Sequence, residues 1–209
     1  MRPNYAPERN LIGILGLLAV STWALAAQGH LSATFKRGTD LLTPYLVLTD
    51  KVSADPKTKN ARAQIEEGIR LLGEVTQAQP DNWAAFWFIG KGHQALRNHA
   101  AAEGAFRRAY EIKPGHTDIA RELVIESVCS GKLDQGVAVA KQVVDHNPRD
   151  AGMAANLGLA YLASGQLKLA RQAIERALAL DPSDTISQAL YKEIAAVEAG
   201  RAPGKYCPQ

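Results

Sequence analysis

The chain has 209 residues, 46% of them apolar, 22% charged and 6% aromatic, a length that carries one or two domains. Thirty-five of the 209 are alanine, which favours helix over β-branched sheet, and so large an apolar fraction excludes long-chain disorder. The formal charge is +3, but residues 61–198 hold 15 Lys+Arg against 17 Asp+Glu; the basic surface that nucleic-acid binding concentrates on a folded domain is missing, so no nucleic-acid partner is expected.

Residues 1–10 form a basic flank with Arg2 and Arg9 against Glu8. An uncharged run of 17 residues, LIGILGLLAVSTWALAA over 11–27, follows. As a helix rising 1.5 Å per residue it spans about 25 Å, at the short end of a bilayer crossing. Two readings stay open: an uncleaved transmembrane anchor using the whole run, or a secretory signal cut after the small-x-small site Ala24-Leu25-Ala26. Both put the bulk of the chain outside the cytoplasm, periplasmic if the source is bacterial. Residues 28–60 read as a linker or as a degenerate opening helix. Within them Thr43 and Pro44 have the cap and first-turn chemistry of a short helix, and 55–60 reads as a polar loop.

From residue 61 an internal repeat takes over. Pro80, Pro114, Pro148 and Pro182 stand 34 residues apart, and Asn82, His116, Asp150 and Asp184 keep the same interval. Proline stops one helix, and Asn or Asp two residues on caps the next. Other columns stay in phase: Gly90, Val124 and Gly158; Gly68, Ala102, Gly136 and Ala170; Leu72, Phe106, Ala140 and Ile174. Gly131 and Gly165 supply the left-handed residue that ends a first helix. The period predicts helical hairpins at 83–116, 117–150 and 151–184, flanked by helices at 61–78 and 185–198, with 199–209 a flexible tail. A single hairpin cannot bury its apolar face, so the units must stack.

These columns resemble the tetratricopeptide repeat (TPR) family. The match is fullest over 151–184, through Asn156, Leu157, Gly158, Tyr161, Gly165, Ala170, Ala177 and Pro182. Unit 83–116 matches through Phe86, Ile89, Gly90, Ala102, Phe106, Ala109 and Pro114, whereas unit 117–150 departs, with Val124 for glycine and Ser127 for an aromatic residue. The resemblance covers 61–198. It implies an all-α, right-handed superhelix of stacked hairpins (a TPR solenoid), here preceded by the transmembrane or signal helix. It also implies a binding role on the concave face lined by first helices.

No phosphate loop, HExxH, CxxC or GxSxG occurs, so no enzyme activity, catalytic residue, metal, cofactor or small-molecule substrate is expected. Cys129 and Cys207 are too few for a disulfide framework, and a bridge between them requires the tail to fold back onto the groove. Glu103 with Arg107 and Arg171 with Glu175 read as solvated i,i+4 pairs. On the family geometry the partner-binding groove carries Trp87, Lys91, Gln94, Arg121, Glu122, Ile125, Asn156 and Leu159. That mixed surface suits a helical or extended segment of another protein. The expected function is a membrane-tethered scaffold helping to assemble an extracytoplasmic complex; the alternative is self-association, with the groove taking an N-terminal segment of its own or a second copy.

Overall fold

The computed structural model describes residues 11–46, 56–204, 206 and 207, with side chains from residue 27 onward. The basic flank at 1–10 lies outside the described residues, as do 47–55 and the side chains of 11–26 on which the anchor and signal readings rest. The described residues form helices α1 (Leu11–Leu42), α2 (Lys59–Ala78), α3 (Trp83–Ala95), α4 (His99–Ile112), α5 (Thr117–Cys129), α6 (Leu133–His146), α7 (Ala151–Ala163), α8 (Leu167–Leu180) and α9 (Thr185–Glu198). A single 3-10 turn, Thr43–Tyr45, follows α1, and there is no strand among them. Among the residues whose side chains are described, from 27 onward, no helix is long and apolar enough to cross a membrane.

Helix boundaries follow the capping chemistry. The side chains of Asn82, Asp150 and Asp184 accept hydrogen bonds from the free amides of Ala85, Met153 and Ser187. His116 holds the fourth position of the column but makes no such bond; its ring packs on Trp83, 5.0 Å between centroids. Gly131 and Gly165 have φ of 77° and 73°, and the same column in the preceding hairpin is filled by Arg97 at φ 57°. The left-handed residue is thus a feature of the repeat, and only two of its three instances use glycine.

Each helix packs on the next along the chain, and α5 on α7 and α7 on α9. Within a hairpin the contact is an exchange of volume between facing columns. A methyl group added at Gly90 would lie 2.7 Å from the Phe106 ring, and one at Gly158 would lie 2.5 Å from Ile174 Cδ1. The same register sets Val124 opposite Ala140, both fully buried. The departure from the family glycine at Val124 is therefore balanced by the smallest residue in the partner column.

Of the two readings, linker or degenerate opening helix, residues 28–42 follow the opening helix. They continue α1, which packs against α2 as the first helix of a further hairpin. The counterpart of the glycine column is Gly38, where an added methyl would lie 2.9 Å from Leu72 Cγ. Gly90–Phe106 and Gly158–Ile174 are 16 residues apart, and Gly38–Leu72 are 34 apart. A long connection, residues 43–58, and a longer start to α2 supply the extra 18 residues, which breaks the interval and hides the unit from the sequence. Thr43 is not a helix cap: Leu42 holds that position, and the Thr43 hydroxyl donates back to the Thr39 carbonyl at 2.7 Å. Tyr45 and Leu46 turn inward and are buried.

The tail is a second correction. Residues 199–204, 206 and 207 do not trail away from α9. Gly204 N–H donates to Glu193 at 3.1 Å, Arg201 pairs with the same carboxylate, and Cys207 is disulfide-bonded to Cys129 at the end of α5.

Candidate functional site

The first helices line one face, but not evenly. α1 touches α3, α5 touches α7 and α7 touches α9, whereas the backbones of α3 and α5 stand further apart. Into this gap opens a cavity of about 460 Å³, walled by α3, α5, the start of α4, the Tyr45–Leu46 segment and Tyr206 of the tail.

Polar side chains bridge the gap. Lys91 Nζ donates to Glu122 at 2.8 Å, Gln94 Nε2 donates to Glu122 and Glu126 at 2.8 and 2.9 Å, and the His99 ring meets Glu126 at 2.8 Å. Lys91 is only 4% exposed and Glu126 1%. Buried charges are tolerated when paired and fully hydrogen-bonded, and each carboxylate here has two partners. Lys91 also lies 5.9 Å from the Trp87 ring centroid.

Of the residues assigned to the groove by sequence, Lys91, Gln94, Glu122 and Ile125 are brought together around this cavity. The other four are not. Trp87 is half-buried against the core and stacks edge-on with Phe88 at 5.0 Å. Arg121 turns away to Asp150, with bonds of 2.8 and 2.9 Å. Asn156 and Leu159 lie on α7, with the Asn156 amide 3.9 Å from Met153 sulfur. Lys91 is on the right wall, but its ammonium is spent on Glu122, so it shapes the groove rather than offering a free charge. Sequence reasoning missed His99, Glu126, Tyr45, Leu46 and Tyr206, all of which line the cavity.

Both expected i,i+4 pairs form, but they are not merely solvated. Glu103 is wholly buried and is held by Arg107 from its own helix and by Lys132 of the next hairpin. Arg171 stands 3.9 Å from Glu175 and pairs more closely with Glu198. Each pair thus extends to a neighbouring element. His93, by contrast, is half-buried with no partner for Nδ1 among the described residues, and burial pushes its pKa below the usual range.

The model of the family described as Tetratricopeptide repeat matches residues 61–117 and 129–185, more than half of the chain. None of the curated protein sequences matches it. Among solved structures, the RS-1 MamA double mutant is similar with a TM-score of 0.58 and 22% identity, over 66% of this chain and 78% of that one. YrrB, described as a TPR protein with an unusual peptide-binding site, is similar with a TM-score of 0.57 and 18% identity, over 64% and 69%. The first TPR of Spaghetti (RPAP3), bound to the HSP90 peptide SRMEEVD, gives 0.51 and 15%, over 56% and 94%. At these identities the likeness establishes the fold.

Proposed function

The chain belongs to the tetratricopeptide repeat family, and we propose that it is a protein-protein interaction scaffold, tethered to a membrane by residues 11–27 and working outside the cytoplasm. The observation that carries the binding half is the cavity between α3 and α5. It combines an apolar wall, Ile125 with Leu46, and a polar rim, Gln94 with Glu122. That pairing suits an extended or helical segment, which needs side-chain pockets and hydrogen-bonding groups together. Peptide binding by YrrB and Spaghetti supports the same reading.

Two features support the location. The uncharged run over 11–27 is long enough for a tether, and α1 runs without a break from that run into the first hairpin. A structural disulfide such as Cys129–Cys207 belongs to an oxidising compartment. The chain's own Tyr45, Leu46 and Tyr206 already occupy part of the cavity wall. That favours, as a second reading, a groove filled by a segment of the same chain or of another copy.

The test uses the full-length protein in its membrane. Alkaline extraction should leave it in the pellet, with an intact mass that includes residue 1; a soluble product starting near Ala27 overturns the tether. Ile125→Ser and Gln94→Ala, both on the cavity wall, should each weaken capture of the protein partner about tenfold or more, as truncated interface side chains do. Lys168→Ala on α8 should not. Equal capture by all three overturns the groove assignment, and a mass of two copies without any other protein favours self-association.

A further inference from the structure

Outside the binding role, one cluster in the cavity has the chemistry of a metal site. Glu126 and Cys129 stand three residues apart on the same face of α5, and His99 opens α4 beside them. One ligand atom from each, imidazole nitrogen, carboxylate oxygen and sulfur, lies within 4.8 Å of the other two. These come from three different residue types on two helices. Their donor set is borderline in softness, which suits zinc and rules against calcium and magnesium.

The surroundings resemble those of a supported ligand set. Glu126 is buried, and Gln94 Nε2 holds its second oxygen at 2.9 Å, the outer bond that fixes a ligating carboxylate. Its first oxygen meets the His99 Nδ1 at 2.8 Å. Ligand atoms around tetrahedral zinc sit about 3.3–3.7 Å from one another, given metal–ligand bonds of roughly 2.0–2.3 Å. The widest spacing in the cluster must therefore close by about 1 Å, and the 2.8 Å His99–Glu126 hydrogen bond must open, for one ion to take all three. Of the two cations that line the cavity among the described residues, Lys91 and Arg97, Lys91 is paired with Glu122. All three candidate ligands line the cavity, which gives a metal its path in and leaves a fourth position for water.

The obstacle is the disulfide, because a bridged sulfur is a poor ligand and a thiolate a strong one. We propose that the reduced protein holds a zinc-class divalent cation on His99, Glu126 and Cys129, and that this metal and the Cys129–Cys207 disulfide are alternative states of one sulfur. The interconversion balances with a thiol reductant. A dithiol gives two electrons and two protons to the bridge and becomes a disulfide itself; Cys129 then loses its proton to solvent as the metal binds.

Cobalt(II), a coloured substitute for zinc, tests this on the full-length protein in detergent. Cys207→Ser frees Cys129 without any reductant and should bind one equivalent, with the thiolate-to-cobalt absorption of a tetrahedral site. Oxidised wild type should bind at least 100-fold more weakly. In the Cys207→Ser background, His99→Ala and Cys129→Ser should each weaken binding tenfold or more, with helix content unchanged by circular dichroism. No thiolate-to-cobalt band, or equal binding by those variants, overturns the proposal. If Cys207→Ser does not fold, the wild type reduced with a phosphine serves instead: zinc should slow reclosure of the bridge on return to air, and an unaltered rate overturns the site.

Discussion

Between α3 and α5 the structure is joined by charged and amide groups; between α5, α7 and α8 it is joined by methyl groups. In the first region Lys91, Gln94, Glu122 and Glu126 reach across a gap that leaves a cavity. In the second, Val124 and Val128 of α5, Met153, Leu157 and Ala160 of α7 and Ala173 of α8 are buried together. Both regions are built by the same repeat, so the difference comes from which side chains occupy equivalent columns. Where small residues allow close approach, packing holds the units together and the surface is closed. Where long polar residues intervene, the units are held apart at a distance that a ligand can use.

The largest test acts on the packed region. Ile174→Ala removes a wholly buried side chain that fills the space left by Gly158, and should cost about 2–5 kcal/mol in chemical denaturation. Gly158→Val alone should also destabilise, by about 1–3 kcal/mol of overpacking. The two together recreate the Val124–Ala140 pairing of the preceding unit and should cost clearly less than the sum of the single changes. Simple additivity would show that the facing columns do not exchange volume.

Much of this architecture was legible in the sequence because proline, cap and glycine columns repeat at a fixed interval. The expected helices at 61–78 and 185–198 coincide with α2 and α9 to within two residues, and the expected hairpin at 83–116 holds α3 and α4. The first hairpin was hidden because a long connection displaces Gly38 from the interval. The left-handed position at Arg97 was hidden because the residue there is not glycine. The tail was hidden because a bridge spanning 78 residues leaves no local pattern. The ion pairs were missed for a different reason. Lys91–Glu122, Lys132–Glu103, Arg121–Asp150 and Arg171–Glu198 are separated by 31, 29, 29 and 27 residues, a little under one repeat. Searching charges at that spacing, rather than at i,i+4, would have found them.

A smaller effect is expected in the polar region. Lys91→Ala leaves Glu122 with Gln94 as its one remaining partner, and should cost about 1–3 kcal/mol. Replacing both charges, Lys91→Met with Glu122→Leu, should recover most of that loss, because matched apolar groups carry no desolvation penalty. The same double variant should weaken partner capture if the polar rim of the cavity is part of the binding surface. A double variant as unstable as Lys91→Ala would mean that the gap depends on its charges for shape.

The smallest expected effect concerns His93 on α3. Burial disfavours its charged form and lowers its pKa from the usual 6.5. Above that value the ring is neutral in both the folded and the unfolded chain, so it adds no pH dependence. As the pH falls through 6.5 the unfolded chain takes up a proton that the folded chain still refuses, and stability drops. The loss continues until the pH passes the lower, folded value, and then levels off. Each unit between the two values corresponds to about 1.4 kcal/mol. His93→Gln removes this titration and no other, so the variant should lose less stability than the wild type between pH 7.5 and pH 5. Parallel thermal midpoints across that window would mean that His93 is solvated in the folded protein. The end of α3 would then be looser than its packing against α4 implies, and the contrast between an open and a closed half of the solenoid would extend further along the chain than the cavity itself.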